Sequence, residues 1–89
     1  MISIEDCLAL CELTEDEVAA IAEHEHLPTI EAAALGQYLV HQPGGLPKIQ
    51  RFIVDDIKAA RARGDFAHIV QLRHALQKFL ADHPNAKPA

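Results

Sequence analysis

The sequence predicts an all-helical fold, a compact bundle of about five short helices that pack antiparallel to one another. The 89-residue chain is 49% hydrophobic but only 4% aromatic, and its Ala, Leu, Glu, Gln, Lys and Arg residues favour helices. Apolar residues recur at helical spacing, and proline and glycine fall between these periodic stretches. A chain of this length forms one domain, which we expect over residues 1–83, followed by a frayed tail at 84–89.

Capping signals and helix-breaking residues place the five helices along the chain. Thr14 begins a capping box, in which a Thr and the Glu three residues later satisfy free backbone N–H groups. Pro28 disfavours a helical Leu27, and Gly64 has the character of a helix C-cap. The predicted helices are Ile4–Cys11, Thr14 to about Glu25, Pro28 to about His41, a fourth with Pro47 in its first turn that ends near Arg63, and a fifth from the Asp65 cap to about Asp82.

Net charge and cysteine content restrict the classes of binding partner and the cellular compartment that we expect. The net charge is −5, and acids flank the densest basic stretch at residues 58–63, so nucleic-acid binding by phosphate neutralisation is not expected. No apolar run approaches the roughly 20 residues of a membrane span, and the acidic N-terminal residues contain no apolar stretch of signal-peptide length. We therefore expect a cytoplasmic protein in which Cys7 and Cys11 are reduced thiols on an apolar helix face.

The third predicted helix is apolar around almost its whole circumference. Its apolar residues are Ile30, Ala33, Leu35, Tyr38, Leu39 and Val40. Such a helix must be covered on all sides, either as the central helix or by a second subunit. Because so short a chain can hardly surround a helix, the sequence favours a homodimer through this helix.

Four helices each direct a polar side chain toward the expected core. Helical phasing places Asp56 inside the apolar arc of its helix and Asp55 outside that arc. The other inward polar residues are Glu25, Arg73, Gln37 and His41. On the fifth predicted helix, Arg73 falls inside an apolar arc that is defined by Phe66, Ile69, Leu76 and Leu80. A buried carboxylate is costly unless it is paired, so we expect a salt-bridge network in which Asp56 and Glu25 face Arg73.

The same residues allow a second interpretation, a metal centre. The segment Glu23–His26 contains the Glu-x-x-His spacing that di-iron helical bundles use, but a full di-iron site needs a second such motif. A mononuclear site is the better metal hypothesis, because imidazole and carboxylate ligands suit zinc or iron. Its predicted ligands are Glu25, His26 and Asp56, with His41 as a candidate fourth ligand.

Three common catalytic and phosphate-binding motifs do not occur in the sequence. It contains no glycine-rich phosphate loop, no G-x-S-x-G and no H-E-x-x-H. The acidic surface favours a protein partner over nucleic acid. We therefore expect a small, non-enzymatic interaction or regulatory module, with a zinc- or iron-binding helical protein as the alternative hypothesis.

The segment Glu23–Pro28, together with Asp55-Asp56-Ile57 and residues 60–65, resembles a group of small all-helical proteins of proteobacteria that carry an EHEHxP segment. The likeness extends from Ile4 to about Leu80. No activity is established for that group, so the resemblance implies a helical fold and transfers no site residue.

Overall fold

The computed structural model describes residues 13–84, and within this range the chain folds into four α-helices. They are α1 (Glu15–Glu25), α2 (Thr29–Val40), α3 (Gly45–Arg63) and α4 (Phe66–Asp82). The all-helical class is confirmed for this range, with four helices where the sequence predicts about five for the whole chain. The predicted helix at Ile4–Cys11 and the tail beyond Pro84 lie outside the described residues.

Helix α1 begins at the predicted capping box. The Thr14 side chain accepts a hydrogen bond from the Glu17 backbone N–H at 3.2 Å, and the Glu17 carboxylate accepts one from the Thr14 N–H at 3.1 Å. The acids of the first turn favour the positive end of the helix dipole. The helix ends at His26, which adopts the left-handed conformation with φ of 56°.

Helix α2 packs closely against α1 through small residues. Its buried residues are Ala32, Ala33, Gly36 and Leu39. A methyl group added at Gly36 would lie 3.0 Å from the Cδ1 atom of Ile21 and 2.5 Å from that of Leu13. A side chain at this position would therefore displace these two methyl groups, which lie at the ends of flexible side chains. The opposite side of α2 leaves Ile30 and Tyr38 exposed.

Helices α3 and α4 are joined by the tight turn that the sequence predicts. Gly64 ends α3 with φ of 70°, a left-handed conformation that glycine adopts without steric cost. The Asp65 carboxylate then accepts a hydrogen bond from the His68 N–H at 3.3 Å, which caps α4. Both helix boundaries at this turn are therefore local properties of the sequence.

The core lies between α1 and α3, each of which packs against all three other helices. Helix α2, the third predicted helix, packs mainly against α1 and α3. Of the two interpretations of its apolar circumference, the central position is therefore wrong, and cover by a second subunit stays a prediction. Buried side chains from all four helices form the core, among them Ile21, Ala33, Ile49, Ile53 and Phe79. Over residues 13–84, no helix has both the length and the apolar character needed to cross a membrane.

Candidate functional site

Asp56 lies in the core near the middle of α3, as helical phasing predicts. It is 4% exposed and shares its helix face with buried Ile49, Ile53 and Ala60, whereas Asp55 is only half-buried. Its Oδ2 atom makes no hydrogen bond to any part of the chain that the structure describes. An ionised carboxylate in this position would lack the solvation it has in water.

The surroundings of Asp56 favour its protonated form. Loss of water around the buried carboxyl is the main cause that raises its pKa, to about 7, and the negative charge of Glu23 adds to this effect. The nearby His24 and His68 act in the opposite direction, and Asp55 raises the pKa slightly further. At neutral pH the Asp56 carboxyl is therefore protonated in a large fraction of molecules and can donate a hydrogen bond.

His24 connects α1 to α3. Its ring stacks on Phe52, with ring centroids 4.2 Å apart and an angle of 21° between the planes. The Nδ1 atom lies 3.0 Å from Oε2 of Glu25, and the Nε2 atom lies 3.1 Å from Oδ2 of Asp55. Desolvation opposes the charged ring, but the hydrogen bonds to Asp55 and Glu25 together raise the pKa of His24 above its usual value.

His68 makes the corresponding connection between α4 and α1. Its Nε2 atom lies 2.5 Å from Oε1 of Glu23, and its Nδ1 atom lies 3.4 Å from the side-chain oxygen of Gln71. The hydrogen bond to Glu23 is the main cause that raises the pKa of His68, against a smaller effect of burial. Protonated His68 therefore carries a positive charge close to the carboxylate of Glu23.

We call these groups the acid–imidazole cluster. Its members are Glu23, His24, Glu25, Asp55, Asp56 and His68. Three helices contribute to it, and each imidazole joins two of them. The pKa values of Asp56, His24 and His68 are all raised, so the surroundings of the cluster favour the protonated form of each of these three groups.

The predicted salt-bridge network of Asp56 and Glu25 with Arg73 is wrong. Arg73 and Glu25 are exposed, and no ion pair among residues 13–84 joins either of them to Asp56. The phase of α4 was set by Phe66, yet Phe66 is 73% exposed. The buried residues of α4 are Ile69, Leu72, Ala75 and Phe79, and this arc turns Arg73 outward. Glu25 contacts His24 instead of the core.

The four predicted metal ligands occupy different environments. Asp56 is buried, whereas Glu25, His26 and His41 are exposed. His26 is the C-cap residue of α1 and has a left-handed backbone conformation. The Nε2 atom of His41 lies 3.1 Å from Nε2 of Gln37. In the described stretch of chain, no group of three or more His, Cys, Asp or Glu side chains has an arrangement that could hold a metal ion. Zinc or iron binding stays a prediction, to be tested by elemental analysis of the purified protein.

A second buried carboxyl, Glu17, was not predicted as an inward residue. It is 0% exposed, and its Oε2 atom has no hydrogen-bond partner within residues 13–84. Desolvation is the main cause that raises its pKa, while hydrogen bonds from Thr14 and the charge of His83 lower it. His83 packs its ring 4.9 Å from that of Phe79. Glu17 lies one helical turn before buried Ile21, and this spacing indicates an inward side chain. The capping box already gives Glu17 a role at the helix start, so its inward position is easily missed.

Comparison with known proteins assigns the chain to no family, since no protein-family model, curated protein or solved structure matches it. The resemblance to small all-helical proteobacterial proteins therefore stays a prediction. The function has to be inferred from the geometry of the chain itself.

Proposed function

We propose that this protein is a small, non-enzymatic interaction and regulatory module that acts as a homodimer through α2. The observation that carries the proposal is an apolar stripe on the outer side of that helix. Ile30 and Tyr38 are 50% and 60% exposed, and the exposed Ala34 lies between them. Residues four apart lie on one helix face, so these three side chains, which we call the α2 face, form one continuous surface.

A single exposed apolar residue is ordinary on a monomer, but the α2 face is a row of three. Two copies related by a twofold axis could place this face against itself, because such an interface uses the same patch on both subunits. Tyr38 suits such a contact, since tyrosine offers a large apolar ring with one polar end and is enriched at interfaces. The small Ala34 would allow the two helices to approach closely.

Other properties of the chain support an interaction module rather than an enzyme or a nucleic-acid binder. The net charge of −5 disfavours contact with phosphate backbones. The short connections at residues 26–28, 41–44 and 64–65 favour the antiparallel packing of successive helices that we propose. We place the module in the cytoplasm, where the thiols of Cys7 and Cys11 would remain reduced.

Analytical ultracentrifugation at micromolar concentration tests the dimer. We expect the wild-type chain to sediment with twice the chain mass and the double variant Ile30→Glu, Tyr38→Glu to sediment as a monomer. The variant Phe66→Glu, Val70→Glu is the matched control, because these α4 side chains are 73% and 69% exposed. It should remain a dimer. A monomeric wild-type chain, or a dimer lost equally in both variants, would contradict the proposal.

A further inference from the structure

The outer side of α3 contains a groove that the proposed dimer does not use. Two adjoining clefts of about 390 and 280 Å³ share Pro47, Arg51 and Asp55. We call their combined surface the α3 groove. The residues that line it include Pro47, Lys48, Arg51, Val54, Asp55 and Lys58.

The α3 groove is basic although the chain as a whole is acidic. Three of the eight Lys and Arg residues line it, in a chain with a net charge of −5. Lys48, Arg51 and Lys58 are exposed, and none of them forms an ion pair with another residue between positions 13 and 84. These cations are therefore available to a negatively charged partner.

The acidic residue of the groove, Asp55, is already engaged within the protein. Its Oδ2 atom lies 3.1 Å from Nε2 of His24, at one end of the larger cleft. One carboxylate oxygen of Asp55 is therefore already hydrogen-bonded within the protein, and the three cations outnumber this single acid in the groove.

The groove is an open one, and apolar side chains lie beside its cations, because Pro47 and Val54 line the smaller cleft. From Lys48 to Lys58 the helix rises about 15 Å, at 1.5 Å per residue. A free phosphate would contact the cations alone, whereas a peptide with both acidic and apolar side chains would contact the cations and the apolar side chains together. This rise equals about three turns of a helical peptide.

We propose that the α3 groove binds an acidic segment of a partner protein, with carboxylates on Lys48, Arg51 and Lys58 and apolar side chains against Pro47 and Val54. The charge complementarity between this basic groove and an acidic segment selects the occupant. The site lies on α3 rather than on α2, so it stands independently of the proposed dimer.

Fluorescence anisotropy with a short fluorescein-labelled peptide, in which Glu and Leu alternate at helical spacing, tests this inference. We expect saturable binding that weakens as salt is added, because exposed charges are screened. The double variant Arg51→Glu, Lys58→Glu should raise the Kd at least about tenfold, since it reverses two contacting charges. The matched control Arg73→Glu, Lys78→Glu makes the same change in charge on α4 and should leave the Kd within about twofold. Circular dichroism establishes that both variants fold.

Three results would overturn the inference. The first is the absence of saturable binding by the wild-type chain. The second is an equal loss in both double variants, which would show attraction by overall charge alone. The third is equally tight binding of a peptide with Ser in place of Leu, with displacement by inorganic phosphate, which would indicate a simple anion site. The double variant Ile30→Glu, Tyr38→Glu should bind the peptide as tightly as the wild-type chain. Failure of the proposed dimer and failure of the proposed groove are therefore distinguishable.

Discussion

Asp56 and Glu17 are both buried carboxyl groups, but the protein accommodates them in different ways. Glu17 lies in the first turn of α1, where it accepts the free N–H of Thr14. Asp56 lies in the middle of α3, where the backbone N–H groups are already used within the helix. Desolvation raises the pKa of both groups. A helix start can thus supply a backbone N–H to one oxygen of a buried acid, which opposes the rise in its pKa, whereas a helix interior has no free N–H to offer.

The largest expected effect concerns Asp56 and pH. Its pKa rises from 3.8 in an unfolded chain to about 7 in the fold, so the folded state binds more protons and stability falls as pH rises. The stabilisation is complete below the unfolded value and is lost as pH rises through about 7. Between about pH 5 and about pH 8 we expect a loss on the order of 2 to 3 kcal/mol from this group. Urea unfolding at both pH values measures it.

The variant Asp56→Asn sharpens the same test because an amide has the size of the carboxyl but does not titrate. Between the two pH values, we expect its free energy of unfolding to fall by about 2 kcal/mol less than that of the wild type. Asp55→Asn is the control, since this side chain is 45% exposed and its contact with His24 contributes at most about 1 kcal/mol. Equal slopes for wild type and Asp56→Asn would show that Asp56 is not the titrating group.

A smaller effect is expected at Glu17, where the capping box acts. Thr14→Ala removes the side chain that accepts the Glu17 N–H and should cost about 1 kcal/mol, the usual effect of losing an N-cap. Because hydrogen bonds from Thr14 lower the pKa of Glu17, the variant should also raise that pKa. Urea unfolding and carboxyl NMR titration measure the two effects. A stability equal to that of the wild type would contradict the local account of Glu17.

The smallest effect on stability is expected at the contact of His68 with Glu23. The pKa of His68 is raised, so its contribution is complete below 6.5, its value in an unfolded chain, and is lost as pH rises through the folded value. The contact is partly exposed, and we expect under about 1 kcal/mol. NMR titration of the imidazole should show a pKa above 6.5 that falls in Glu23→Gln. Glu15→Gln, on the exposed start of α1, should leave it unchanged.

The fold was predictable to the extent that local signals determine it. The capping box at Thr14, Pro28 and the Gly64–Asp65 turn fixed the helix ends to within about two residues, because capping and chain-breaking act over one helical turn. Asp56 was predicted as inward because its helix is long and strongly amphipathic.

The rest of the site could not be predicted, because it depends on which helices meet. Phasing treated Phe66 as buried, although it is exposed, and Arg73 was therefore placed in the core. The contacts of His24 with Asp55 and of His68 with Glu23 join residues 31 and 45 positions apart. No periodicity within one helix indicates such partners.

The glycine at position 36 has a consequence for how this protein can change. A larger side chain there would press on the terminal methyl groups of Ile21 and Leu13, so a substitution on the inner side of α2 requires these neighbours to shift. Ala34 and Tyr38 on its outer side meet no such restriction, since both are exposed. In the dimer that we propose, attachment to the rest of the domain and contact with the second subunit lie on opposite sides of one helix. The contact surface can then vary in sequence while the scaffold stays constant.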